Sequence, residues 1–201
     1  MERIHPAHLV LLLLAIAAAV GATPLQRHYT GAGGLVRLTY PAYLTPGHDF
    51  GGRSLMSSGW RLSWDGAAVG TGTGVVRFSQ GARPTDGPGV VTELIQIGLS
   101  RDASVVAHCG TTGALGSGKR LPDRMLGGHR WTAYRNGDAG MSQAIVATDL
   151  RTVVDGVCYA IDRATYLVTA ADDLPRYPPT QVIAAAQIDA VLASVRVGRG
   201  R

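Results

Sequence analysis

The rhythm of apolar and polar positions changes several times along the chain, and each rhythm predicts an element. Leu9 to Val20 is an unbroken apolar run of 12 residues. A helix needs about 20 such residues to cross a bilayer core of about 30 Å, so this run has the length of a signal-peptide core instead. Small residues precede Thr23-Pro24, which places the cut after Ala22. Residues 23–34 are polar and glycine-rich and read as a flexible lead. Leu35 to Tyr40 alternates and stops at Pro41, as a strand does. Residues 41–59 hold many Pro, Gly and Ser residues and read as a long loop or irregular strand pair. Trp60-Arg61-Leu62-Ser63-Trp64 alternates strictly, Asp65-Gly66 signals a turn, and residues 67–78 form a second strand. The glycines in that second strand predict a bulge or a close backbone approach. After a loop over 79–89, Val90 to Leu99 is a long strand with Glu93 as its one charge.

Residues 101–109 fit either a short helix, capped by Ser100, or a strand. Residues 110–120 form a glycine-rich loop. Three turn signals then follow at short intervals, Gly127-Gly128, Asn136-Gly137 and Asp155-Gly156, each between apolar runs. These dipeptides favour the positive dihedrals of two-residue hairpins, so residues 124–166 read as an antiparallel β-meander. Residues 172–179 break the sheet, and Thr180 is placed to cap a helix in which Ile188, Val191, Leu192 and Val195 form one apolar stripe. Laying that stripe on one face of the meander gives an α+β two-layer domain over 35–197, with 198–201 a frayed basic tail. The segments Leu35–Pro41, Asp155–Ile161 and Ser194–Val197 resemble those of small exported bacterial domains with a PsbP/Mog1-like α+β fold. That resemblance implies an accessory or binding role and carries no active-site residue over to this chain.

Composition separates the address from the body. Of the first 22 residues, 16 are apolar, so the predicted signal is far richer in apolar residues than the 46% of the whole chain. With 16% charged residues the chain lies outside the disordered class. Glycine at 27 of 201 residues, without a triplet period, indicates turns rather than collagen. Export gives the two cysteines their meaning: in an oxidising compartment Cys109 and Cys158 form one disulfide. A metal or thiol site from His108, Cys109, His129 and Cys158 lacks ligand spacing, since adjacent residues of an extended chain point to opposite sides.

The motifs that suggest chemistry are incomplete. Gly113 to Lys119 matches the skeleton of a phosphate-binding loop, but Arg120 stands where a Ser or Thr must hold magnesium, and Pro122 follows. Gly70-Thr-Gly72-Thr-Gly74 lacks the helix and downstream acid of a dinucleotide site. No G-x-S-x-G occurs, and His28, His48, His108 and His129 have no spacing to a nucleophile. Glu93, the one glutamate after the signal, reads as a solvent-facing strand position; turned inward it becomes the carboxylate to watch. Trp60 and Trp64 share a strand face with Leu62, which reads as core, with an aromatic platform for a sugar or peptide as the candidate binding surface. The 18 arginines and Lys119 give a net charge of +5 but are dispersed, which argues against nucleic acid.

The expectation is therefore a periplasmic or secreted, disulfide-stabilised, non-enzymatic binding or accessory protein of the bacterial envelope, with no cofactor, no metal and no membrane span after cleavage. Its partner is an envelope or extracellular protein or polymer, and the alternative is an envelope hydrolase whose histidine site assembles only in the fold. N-terminal sequencing of the exported protein is expected to begin at Thr23; retention of residues 1–22 refutes the cleavage site.

Overall fold

A computed structural model describes residues 24–50, 61–62, 68–69, 71–82, 89–110, 119–140, 143–169 and 179–199. The predicted signal, Trp60, Trp64, the Asp65-Gly66 turn and most of the Gly113–Lys119 motif lie outside the described residues. The described chain is mainly antiparallel β rather than the α+β domain expected. The long strands absorb the residues that sequence rhythm alone leaves to loops.

The largest sheet has six strands: β5 (Thr73–Ala82), β6 (Gly89–Ser100), β7 (Lys119–Leu126), β8 (His129–Gly140), β9 (Gln143–Val154) and β10 (Val157–Thr169). Their order is β5-β6-β10-β9-β8-β7, so β7 to β10 form the expected meander and β6 joins its free side. A second sheet has the order β1-β2-β11, from β1 (Gln26–Gly31), β2 (Val36–Pro41) and β11 (Arg196–Val197). A short antiparallel pair joins β3 (Arg61–Leu62) to β4 (Ala68–Val69), with Arg61 facing Val69 and Leu62 facing Ala68. The described helices are α1 (Ala103–Ala107) and α2 (Pro179–Ser194), with a 3-10 turn over Ala32–Gly34.

Two of the three turn signals act as read. Gly127 and Gly128 have φ of 60° and 84°, and Asp155 and Gly156 have φ of 51° and 71°, the positive pairs that close a tight hairpin in register with twisted strands. Asn136-Gly137 does not turn. Asn136 faces Ala147 and Gly137 faces Val146 within a ladder that runs on to Gly140. The further cross-strand pairs won over a local preference, and Asn136 is buried. At Gly74 the expected close approach is present: a Cβ there would lie 2.8 Å from the Phe50 ring, and the β5–β6 register shifts beside it.

The lead over 23–34 is not free. Residues 26–31 pair with β2 from Gln26↔Pro41 to Gly31↔Val36. The Tyr29 hydroxyl donates to the Val75 carbonyl at 3.1 Å, and its ring stands edge-on to Phe78. β1 is an outer strand with mostly exposed side chains, so it carries no apolar alternation to read. The tail is held for a further residue, because the Gly198 amide donates to the Leu35 carbonyl at 3.0 Å.

One face of the large sheet supplies the main core. Val76, Phe78, Ile95, Ile97, Trp131, Leu150, Tyr159 and Ile161 pack with Val36, Leu38 and Tyr40 of β2. The expected stripe of α2, Ile188, Val191, Leu192 and Val195, is buried in the same cluster. The helix begins at Pro179, one residue before the anticipated Thr180 cap; proline's fixed φ suits a first helical turn. At the other edge β7 is shielded from further pairing by Pro122, its charged residues and a register shift between Leu121 and Arg124.

On the opposite face, residues 101–109 contain a helix, and its cap is Asp102 rather than Ser100. Asp102 Oδ1 accepts from the amides of Ser104 (2.9 Å) and Val105 (3.2 Å), while Oδ2 accepts from the Thr71 hydroxyl at 2.8 Å. Ser100 instead donates to the Thr71 carbonyl and accepts from the Asp102 amide. The helix delivers Cys109 to the start of β10, where Cys109 and Cys158 are bonded with Cα atoms 5.8 Å apart. Phe50, Ala160, Val105 and Val106 pack around the bridge.

The bridge spans a sequence separation of 49 residues, for which chain entropy gives about 4 kcal/mol. Cys109→Ala/Cys158→Ala is expected to lose a comparable part of the unfolding free energy in urea; an unchanged midpoint refutes this. Asp102 is held at about 2, below its ordinary 3.8, by the Ser104 hydroxyl, then the Thr71 hydroxyl and the two amides. A lowered carboxyl stabilises the fold above its unfolded value and loses that contribution as pH falls through the folded one. The urea midpoint is expected to fall between about pH 4 and about pH 2, and Asp102→Asn, which keeps the cap without the charge, is expected to flatten that limb.

Candidate functional site: a cleft beside the second helix

Strand alternation and register together place the site. The row Ile97, Ile161, Leu150 and Ala133, one residue from each of β6, β10, β9 and β8, belongs to the apolar core. Two residues further along, the same face carries Ile95, Arg163, Thr148 and Arg135. The next row is Glu93, Thr165, Val146 and Gly137, and after it come Val91, Leu167, Ala144 and Ala139. The inner face thus turns polar beside the N-terminal half of α2, and a cleft opens between the helix and the outer strands.

A polar knot, buried at Glu93 and open to solvent at Asp189, marks that change. Arg163 Nη1 donates to Glu93 Oε2 at 2.5 Å, and Arg163 Nε donates to Asp189 Oδ1 of α2 at 2.7 Å. The Thr165 hydroxyl also donates to Glu93 Oε2, at 2.8 Å, and the Gln181 amide nitrogen donates to Glu93 Oε1 at 3.0 Å. Glu93 is 2% exposed, so the expectation of a solvent-facing position is overturned. The reason was present in the pattern. Glu93 has the parity of Ile95 and Ile97, and Arg163 has that of Tyr159 and Ile161, so two charges on the core faces of paired strands meet each other. Both oxygens of Glu93 are engaged, which satisfies the charge that burial would otherwise penalise.

Two adjoining cavities make up the cleft. The larger, about 770 Å³, lies between Val182, Ala185 and Ala186 of the helix and Ala139, Val146 and Leu167 of the strands, with Glu93 and Gln181 at its floor and Arg135 on its wall. The smaller, about 480 Å³, is bounded by Arg124, Leu126, Thr148 and Leu192, and the two share Val146, Thr165 and Asp189. Both volumes fall in the range of about 300–1,000 Å³ typical of small-molecule sites. Val182 and Val146 are exposed along this cleft.

The histidines are not brought together. His48 Nδ1 meets the Val75 carbonyl at 3.0 Å, His108 Nδ1 meets that of Ser104 at 2.9 Å, and His28 and His129 belong to β1 and β8. Among the described residues no three His, Cys, Asp or Glu side chains are placed to hold a metal ion, and no helix is long and apolar enough to cross a membrane. The opposite sheet face carries a second polar group that sequence reading passed over: buried Asp149 accepts from Arg151 at 3.2 Å through each of two nitrogens and faces buried Asp162 across the ladder. No protein-family model matches the chain, and no curated protein does.

Removing one partner of the Glu93–Arg163 pair leaves an uncompensated buried charge. Arg163→Met is expected to cost about 3–5 kcal/mol in urea unfolding, and adding Glu93→Leu is expected to recover most of it. A double variant as unstable as the single one refutes the pairing as the source of the loss.

Proposed function

We propose that the protein is an exported, non-enzymatic binding protein of the bacterial cell envelope, and that the cleft between α2 and strands β8 to β10 is its ligand site. The observation that carries this reading is the state of the charges at the cleft floor. Glu93 accepts from three donors, and Arg163 is shared between Glu93 and Asp189, so these groups hold the helix to the sheet. A carboxylate engaged on both oxygens is committed to holding the fold, whereas an open cleft with apolar walls is suited to hold a ligand. The Cys109–Cys158 bridge is consistent with an oxidising compartment outside the cytoplasm. With the apolar run at Leu9–Val20 it supports a periplasmic or secreted protein. A single disulfide-clasped domain, with α2 laid over β5 and β6, is a rigid frame for such a site.

The mature protein, immobilised and exposed to an envelope extract, is expected to retain a component that Ala185→Trp, which fills the cleft, does not retain. Equal retention by both proteins, at matched circular dichroism, places the contact elsewhere and overturns the cleft as the site.

A further inference from the structure

Two side chains in the cleft have bonding capacity that the fold does not use. Gln181 is 6% exposed, and its Oε1 has no hydrogen-bond partner among the described residues. The amide orientation is set by chemistry. The Glu93 carboxylate only accepts, so the Gln181 NH2 must face it and the carbonyl oxygen must point away. A buried acceptor left without a donor destabilises the fold, and a ligand that supplies the donor removes that penalty. On the far wall Arg135 is exposed and has no side-chain partner among the described residues, although it lines the same cavity. Arg124, on the wall of the adjoining cavity, is likewise without a side-chain partner there. The anions of the cleft, Glu93 and Asp189, are both bonded to Arg163, so the unspent charge is positive.

We infer that the cleft takes a small amphiphilic anion: an acid group on Arg135, an apolar chain along Val146, Leu167, Val182 and Ala186, and a hydroxyl or amide donor on Gln181 Oε1. The inference rests on the cleft being the ligand site and specifies what that ligand is. Register sets its length. Glu93, beside Gln181, is on β6 and Arg135 is on β8, three strand spacings away in the order β6-β10-β9-β8. At about 4.8 Å per spacing, with Arg135 two residues (about 7 Å) along the strands from Glu93's row, the two ends lie roughly 16 Å apart, the span of a medium-length acyl chain. A chain with an acid at one end and a donor toward the other meets both unused groups, whereas a plain hydrocarbon meets neither.

The test is calorimetric titration of the mature protein with 12-hydroxydodecanoate, dodecanoate, dodecyl phosphate and dodecanol. The hydroxy acid is expected to bind tightest, dodecanoate several-fold more weakly, and dodecanol about tenfold more weakly still or not at all. Dodecyl phosphate separates a preference for carboxylate from a preference for phosphate. Arg135→Gln, at an exposed position, is expected to weaken both acids about tenfold, to leave dodecanol unchanged and to reduce the salt dependence of binding. Gln181→Met is expected to abolish the advantage of the hydroxy acid; if that variant unfolds, the comparison of dodecanoate with its hydroxy form on the unaltered protein still decides the donor. Dodecanol binding as tightly as the acids, or an unchanged affinity in Arg135→Gln, overturns the inference. Retention of an envelope component that Ala185→Trp abolishes, with no amphiphile bound, overturns the ligand class and leaves the cleft reading standing. Amphiphile binding undiminished by Ala185→Trp overturns the cleft itself.

Discussion

Arg163 donates to Glu93 on β6 and to Asp189 on α2, and this shared guanidinium sets how far the helix can pack over the sheet. On one side of it lie Ile161, Leu150 and Ile188, excluded from water. On the other lie the cavities. A buried cation requires its carboxylate at hydrogen-bond distance, because neither charge can be left in a medium of low dielectric without the other. The knot therefore has one workable arrangement. It determines where the core ends and the cleft starts, and the orientation of Gln181 follows from the same carboxylate.

Length and clasp complete the frame. β6, β8, β9 and β10 are 12 or 13 residues long, while α2 and the small sheet meet only part of that length on the inner face. Strands that outrun their cover leave sheet surface open on a fixed platform. On the other face α1 and the Cys109–Cys158 bridge fasten the start of β10. The site thus stands on the distal halves of strands whose proximal halves are locked by core packing and a covalent link. Such a division favours a preformed pocket over one that closes on its ligand.

Some of this was legible in residue order. Gly127-Gly128 and Asp155-Gly156 act as turns because their positive dihedrals are a local property, and the cysteine pair follows from a count of two. Asn136-Gly137 carries the same local signal and lies within a ladder, since several cross-strand pairs outweigh one dipeptide's preference. β1 escapes notice because an outer strand with solvated side chains has no apolar period. Ser100 and Asp102 both suit a helix cap, and only the position of Thr71, supplied by the bend before β5, separates them.

By itself the sequence determined the meander, the apolar stripe of α2, the disulfide partners and the signal-like start, all of which depend on short-range periodicity, turn chemistry or counting. Strand parity already put Glu93 on the core face; tertiary structure decided that Arg163 and Gln181 meet it, and that Arg135 lines a cavity shared with Glu93 and Gln181. These facts depend on register between strands and on the seat of a helix, so residues 70 or 88 positions apart in the chain become hydrogen-bonded neighbours. No local rhythm encodes such a distance, because burial energy chooses it only when all the faces are packed at once.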